Sequence, residues 1–467
     1  MLKFISIDGQ MPPKRVADER RHDFFEIYGE YIQKKAKQQA SRCSQCGIPF
    51  CQSGCPLQNN IPDWLNLAAE GHFEQAYQVS AQTNPMPEIC GRICPQDRLC
   101  EGACVIEKSG HGSVTIGAIE RMLTDNAWEK GWVKPLASRG EKPLSVGIIG
   151  SGPAGLAAAE ALCEQGWQVS VYERHDRAGG LLMYGIPNFK LDKSIVVRRI
   201  KRLEDGGVKF ILNTDIGNDI GFNELRQKHA TILVATGVYK ARRLSVQGAG
   251  LMGVIEALPY LINANRVGLG DTVKGISAKG KDVVVIGGGD TAMDCVRTAL
   301  RQEAKSVTCL YRRDERNMPG SIRETNNAKE EGVHFEWLAA PNSIHDVKVE
   351  VKFVRADRMR LGARDRSGRQ SVSVIEGASF DTKADLVIQA LGFTPENMKL
   401  FSQDLALTNW GTIQADPLRF STNIEGVYAA GDIVRGASLV VWAIAEGRAA
   451  ASAINTYLSA QISAAAE

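Results

Sequence analysis

Leu144-Ser145-Val146-Gly147-Ile148-Ile149-Gly150-Ser151-Gly152-Pro153-Ala154-Gly155 decides how this chain is read. An apolar run ending at Ile149 breaks into a glycine-rich turn, the helix-forming stretch LAAAEALCEQG follows, and a second apolar run, Val169 to Tyr172, ends at Glu173. The order is strand, turn, helix and parallel strand. Gly150 permits the tight turn, Gly152 lets backbone approach a pyrophosphate, and Gly155 lets the helix pack on the strand, while the helix start at Pro153 and Ala154 favours an anion. Glu173 stands 18 residues after Gly155, where a carboxylate accepts from ribose hydroxyls. The segment predicts a dinucleotide site.

A second unit of the same kind begins 137 residues later. Val283-Val284-Val285-Ile286 runs into Gly287-Gly288-Gly289-Asp290-Thr291-Ala292, with alanine at the position of the third glycine, where it still permits close packing. The next strand, SVTCLY, ends in Arg312-Arg313, with Arg316 close behind. Guanidinium groups at that strand end suit a ribose 2′-phosphate, whereas a carboxylate would repel it, so the second site is expected to take NADPH. Thioredoxin-reductase chemistry would need a Cys-x-x-Cys in this unit. Only Cys295 and Cys309 are available, 14 residues apart, and both read as small buried hydrophobes.

Upstream of both units, eight of the eleven cysteines lie between Cys43 and Cys104. They form two runs: Cys43, Cys46, Cys51 and Cys55, the last before Pro56, and then Cys90, Cys94, Cys100 and Cys104. Two runs of four closely spaced thiolates suit two [4Fe–4S] clusters; tetrahedral zinc is the alternative, though zinc would serve no redox purpose beside a nucleotide cofactor. In two-cluster ferredoxins the fourth cysteine crosses to the other cluster. By that analogy Cys43, Cys46 and Cys51 hold one cluster, and Cys55 with three of the second run holds the other, which leaves the first cluster one ligand short.

Downstream of Glu173 stand Gly179-Gly180-Leu181-Leu182-Met183, then Ala235-Thr236-Gly237, and much later Ala430-Gly431-Asp432. This set resembles the flavin disulfide-reductase superfamily. The resemblance implies FAD as the first cofactor, with Gly180, Leu181, Thr236 and Gly237 in its site and Gly431 and Asp432 on the ribityl and phosphate portion. Cysteine region and nucleotide units together resemble the small (beta) subunits of NADPH-dependent glutamate synthase and, more distantly, the N-terminal half of dihydropyrimidine dehydrogenase. In the latter family the missing ligand is a glutamine sixteen residues after the last cysteine, and the counterpart of Cys90 is not a ligand. Here that position holds Glu120, which becomes a candidate ligand through oxygen, with Cys90 as its competitor.

The expected fold class is α/β: two Rossmann-type domains, for FAD and NADPH, preceded by an α-helical iron–sulfur domain. Its expected divisions are a helical domain at 1–140, a first FAD part at 141–265, an NADPH domain at 266–392 and a second FAD part at 393–467. Residues 14–40 read as one or two solvated amphipathic helices, and the alanine-rich tail as a helix. A chain of 467 residues that is 44% hydrophobic and 23% charged excludes global disorder, and a formal charge of +3 argues against nucleic acid as partner. No apolar run approaches the ~20 residues of a membrane span, so a cytoplasmic location is expected.

The resemblance implies an electron-input subunit. Hydride from NADPH passes to flavin, and single electrons pass to the clusters and on to a large (alpha) subunit, which makes L-glutamate from L-glutamine and 2-oxoglutarate. The assigned domains leave no room for that second activity, which predicts a hetero-oligomer. No side-chain nucleophile or acid–base pair is expected to be catalytic. The competing readings are an electron-transfer subunit serving another acceptor, such as ferredoxin, and a non-catalytic binding or scaffold subunit. Trp442, after the Gly-Asp motif, reads equally as core or interface, and the histidines have no metal-like spacing.

Overall fold

The computed structural model describes residues 3–137, 140–273, 275–347, 350–366 and 368–466. Its N-terminal part is helical, built on Gln33–Ala40, Ile61–Glu70, Phe73–Thr83, Pro87–Ile93 and Ile116–Glu129. Apolar residues at three- and four-residue spacing form the core of this part: Ile61, Trp64, Leu65 and Ala68 from one helix meet Ile116, Ile119 and Leu123 from another. Most of the cysteines sit in the short turns and short helices between these helices, while Cys90 lies within Pro87–Ile93. Residues 14–32 depart from the sequence expectation. Only Ala17–Arg20 is helical there, and a bridge between Lys14 and Tyr28 closes an irregular loop. Charged residues read as solvated are used instead to dock this loop. Lys14 reaches Glu330, and Arg20, 1% exposed, reaches Glu331 with Nε 2.9 Å from Oε1.

The first α/β unit is a five-stranded parallel sheet in the order Val427–Ala429, Thr231–Val234, Ser145–Ile149, Gln168–Tyr172 and Lys209–Ile211. Ile149 pairs with Tyr172 on one side and Val234 on the other, so Gly150, Glu173 and Ala235 emerge together at the carboxyl edge. Ligands of open parallel sheets bind at this edge. Helix Pro153–Glu164 covers the sheet and is crossed by the tail helix Val440–Ala466. The crossing is close because Gly447 has no side chain: a Cβ there would lie 2.2 Å from the Ala154 carbonyl oxygen.

The second unit repeats the plan with Val254–Glu256, Leu386–Gln389, Asp282–Ile286, Ser306–Tyr311 and His334–Trp337, all parallel. Strand Val254–Glu256 belongs to this sheet, so the second unit begins before residue 266, where the sequence placed it. A three-stranded antiparallel sheet, Ala339–Val347, Glu350–Arg364 and Gln370–Lys383, is inserted between its last two strands in chain order. The sequence reading missed this insertion. Its outer strand is exposed along most of its length and is rich in polar residues. The two α/β units are joined by a short ladder in which Lys240–Ala241 pairs with Phe393–Thr394.

Candidate functional site

The carboxyl edge of the first sheet opens into a cavity of about 310 Å³, within the range of small-molecule and cofactor pockets. Gly150, Gly152, Pro153, Ala154, Glu173, Leu181, Thr236, Gly237 and Asp432 all stand in its wall. Gly150 holds φ +101°, and a Cβ there would lie 2.5 Å from the Ala235 carbonyl oxygen, so only glycine makes this turn. Gly152 faces open space, with nothing within 4 Å of where a Cβ would be. Gly155, Gly180 and Gly431 lie outside the wall. A Cβ on Gly155 would strike the Gly150 carbonyl and one on Gly180 the Gly152 backbone, while the Gly431 N–H donates to Glu446. Their work is to let segments approach.

Glu173 is buried and does more than wait for a ribose. One of its oxygens, Oε2, accepts from the Ser151 backbone N–H at 3.1 Å and from the Ser151 hydroxyl at 2.5 Å. The other accepts from the His175 N–H. Burial works against its charge, but the bonds from His175 and Ser151 outweigh it and hold the carboxyl below its ordinary value. Ser151 Oγ in turn accepts from the Gly179 N–H at 2.9 Å, so one serine ties three parts of the site together. The sequence reading passed over Ser151 because the motif is defined by its glycines. It also missed Arg174, which lies 4.5 Å over the Tyr239 ring and pairs with Glu396 at 2.9 Å. These residues come from segments far apart in the chain, and no local pattern joins them.

Two observations test whether a dinucleotide fits this cavity. The wall at Gly152 is bare backbone at a helix start, and Thr236 Oγ1 is buried with no hydrogen-bond partner among the described residues. A polar atom left so would cost ~1–3 kcal/mol unless a ligand satisfied it. The residues fit FAD. Trp442 stays out of the wall, under the Arg435 guanidinium at 4.2 Å, while its neighbours Leu439, Val440 and Ala443 line the cavity.

In the second unit Gly287 lies under the Ala390 carbonyl, and Gly289, like Gly152, faces open space. The Asp290 carboxylate is occupied, accepting from the Ser321 N–H at 2.9 Å. The three arginines do not act alike. Arg312 and Arg316 are exposed, whereas Arg313 is 6% exposed and its Nε donates to the Gln370 carbonyl at 2.9 Å. Of the expected Arg312–Arg313 pair, Arg313 is therefore engaged through Nε with the inserted sheet, while Arg312 faces outward. The bare Gly289 backbone and the exposed Arg312, unpaired among the described residues, fit a phosphorylated dinucleotide.

The eight cysteines fall into two groups, with Cys55 beside the second run, as the ferredoxin analogy placed it, and Cys104 beside the first. Cys51 has Cys43, Cys104 and Cys46 as its charged neighbours, and Cys43 has Cys104 and Cys46. Cys55 faces Cys90 and Glu120, and both Cys94 and Cys100 face Cys55 and Glu120. Cys55 and Cys104 thus exchange places between the runs. Cys104 stands with Cys43, Cys46 and Cys51 as a fourth thiol, and Glu120 lies beside the second group. Burial raises the thiols of Cys43 to about 11, Cys51 to about 12 and Cys55 to about 11, so stable thiolates there call for a positive centre. Among the described residues no three Cys, His, Asp or Glu side chains converge tightly enough for a single ion. A four-iron cluster spreads its ligands more widely, and the donor set fits it.

Glu120 is 8% exposed and accepts at Oε1 from Asn84 Nδ2 at 3.1 Å and from the Ser80 hydroxyl at 3.3 Å. Burial pushes its carboxyl up to about 7, with the Asn84 and Ser80 bonds opposing. Its competitor Cys90 lies 3.7 Å from Asn84 Oδ1, so one asparagine joins the two. Cys295 and Cys309 are buried elsewhere, as expected, and so is Cys163.

Residues 20–132, which include all eight clustered cysteines and Glu120, match the family model described as dihydropyrimidine dehydrogenase domain II, 4Fe-4S cluster. Residues 144–447 match pyridine nucleotide-disulphide oxidoreductase. The chain is 58% identical over 468 residues to the glutamate synthase [NADPH] small chain of Azospirillum brasilense, covering 99% of this chain and 97% of that one. It is 44% identical to the Escherichia coli K12 protein of the same name, covering 98% of each.

The chain belongs to the glutamate synthase [NADPH] small-chain family.

Among solved structures, FprA of Mycobacterium tuberculosis in complex with NADPH aligns with a TM-score of 0.59 at 20% identity, covering 69% of this chain and 86% of that one. That likeness shows the fold alone. Within the small-chain fold, one contact was not legible in the sequence: Ile93, just before Cys94, lines the cavity of the first α/β unit. The second cysteine group and the cavity are therefore neighbours.

Proposed function

We propose that this chain is the electron-input subunit of a glutamate synthase, located in the cytoplasm and assembled with a large subunit that forms L-glutamate. The observation that carries the reading is Ile93 in the cavity wall, which sets the Cys55, Cys94, Cys100 and Glu120 group beside the flavin-type site. FAD exchanges two electrons with a nicotinamide and one at a time with iron–sulfur centres, which is the conversion such a subunit needs.

The chain's own residues position and insulate. Gly150, Gly152 and the helix start at Pro153 would receive the pyrophosphate of FAD, and Glu173, Thr236 and Asp432 its polar groups. Gly287, Gly288, Gly289 and Thr291 would receive NADPH, with Arg312 and Arg316 toward its 2′-phosphate. Cys43, Cys46, Cys51 and Cys104 would hold one [4Fe–4S] cluster, and Cys55, Cys94, Cys100 and Glu120 the other, with Cys90 buried behind. Among the described residues no helix is long and apolar enough to cross a membrane, consistent with the proposed location.

Anaerobic addition of NADPH to the purified protein should bleach the flavin absorbance. Glutamate formation should then require both this chain and the large subunit that co-purifies with it. A companion lacking glutamate-forming activity would refute the assignment and favour the reading in which another acceptor is served.

A further inference from the structure

The inserted sheet gives the second nucleotide site a residue that the strand-end motif does not contain. Strands Glu350–Arg364 and Gln370–Lys383 form a long hairpin, and Gln370, at the start of its second strand, lies against the segment that follows Ser306–Tyr311. Two side chains from the strand-end segment hold it there through one residue: Arg313 Nε donates to the Gln370 carbonyl at 2.9 Å, and Asn317 Nδ2 donates to Gln370 Oε1 at 2.9 Å. The loop itself is braced. The Arg369 N–H donates to Asp365 Oδ1 at 3.0 Å, and the Asp365 N–H donates to the Arg369 carbonyl at 2.9 Å. Arg369, next to the anchored Gln370, is thereby set near the Arg312 guanidinium.

The one carboxylate set in this loop, Asp365, accepts from the Arg369 backbone N–H. Among the described residues neither Arg312, Arg316 nor Arg369 has an ion-pair partner, although 38 ion pairs occur elsewhere in the molecule. The nearby acids are engaged: Asp314 accepts from Asn317, and Glu315 pairs with Lys329. Burial and the neighbouring Arg313 and Arg369 charges press the Arg312 guanidinium below its ordinary value. Like charges gathered without a counter-ion are unfavourable in the empty protein, and a dianion entering between them relieves that repulsion.

We propose that Arg369, delivered by the inserted hairpin, acts with Arg312 as a specificity-determining residue for the 2′-phosphate of the nucleotide, and that Arg313 serves as the strut holding the hairpin in place. This rests on the NADPH reading of the second site and goes beyond it. Recognition of the phosphate is shared between the Rossmann unit and a separate insertion, so it depends on the docking of the hairpin.

The test uses the purified holoprotein and two probes, 2′,5′-ADP and 5′-AMP, with binding measured by calorimetry. Arg369→Ala should weaken 2′,5′-ADP roughly tenfold or more, as loss of a charge-assisted bond implies. It should leave 5′-AMP within about twofold on the same reasoning. Arg369→Lys should recover part of the difference. Arg360→Ala, on the same hairpin, should change neither probe, and an unaltered flavin spectrum in each variant checks the fold. In turnover, Arg369→Ala should raise KM for NADPH with little change in kcat and little change in KM for NADH. If Arg369→Ala binds both probes like the parent while Arg312→Ala loses 2′,5′-ADP selectively, the role of Arg369 is overturned and the NADPH reading stands. If the parent itself binds 2′,5′-ADP no better than 5′-AMP, the NADPH reading fails.

Discussion

Glu331→Gln should destabilise the second nucleotide unit by ~3 kcal/mol and, through the lost Arg20 contact, loosen the N-terminal loop docked on it. Glu331 has no exposed side-chain surface and answers three guanidinium groups: Arg20 at 2.9 Å, Arg297 at 2.8 Å and Arg301 at 2.7 Å. Arg20 comes from the N-terminal loop, whereas the other two belong to helix Asp290–Arg301, so the carboxylate bolts two domains together. Burial opposes its charge, but bonds from Arg297 and Arg301 prevail and hold the carboxyl at about 2, against an ordinary 4.5. At ~1.4 kcal/mol per pH unit, that gap corresponds to ~3 kcal/mol in favour of the ionised folded form. Because the folded value is the lower one, this contribution is complete above about pH 4.5 and fades as pH falls toward 2. Glutamine keeps the shape and one acceptor but leaves three buried cations to Glu330 and Glu324 alone. Urea unfolding followed by tryptophan fluorescence, with Trp337 in the second unit as reporter, should show the loss at pH 7 and the same loss at pH 5.5. A loss under ~1 kcal/mol, or one that changes markedly between those two values, would refute the argument.

Three further outcomes are expected. Cys104→Ser and Cys51→Ser should each lower the iron content by one cluster, whereas Cys90→Ala should leave iron content and the reduced electron paramagnetic spectrum intact; equal losses from all three would defeat the grouping. Ser151→Ala removes the hydroxyl that joins Glu173 to the Gly179 N–H and should weaken FAD retention by ~1–3 kcal/mol, read as flavin released on dialysis. Arg323→Ala breaks the bidentate span from helix Ile322–Glu330 to Gln96 Oε1 at 2.9 Å and Glu101 Oε2 at 2.8 Å. It should speed proteolysis between the domains, and digestion at the parental rate would count against a docking role.

What the sequence determined by itself was whatever depends on short-range geometry. A glycine turn between a strand and a helix is set by the backbone conformations its own residues allow, so both nucleotide sites and their order were legible from Gly150 to Gly155 and from Gly287 to Ala292. Cysteines a few residues apart can share a centre only locally, so the presence of two centres was legible as well. Tertiary structure alone decided what crosses between segments. Cys104 stands beside Cys43 and Cys51, a placement that spacing along the chain left open. Arg313 becomes a strut because Gln370 of the inserted hairpin lies against it. Arg20, a surface residue by composition, is buried because Glu331, more than 300 positions away, supplies the charge that makes its burial possible. Spacing along the chain carries no information about such partners, since electrostatic and packing energies depend on distance through space.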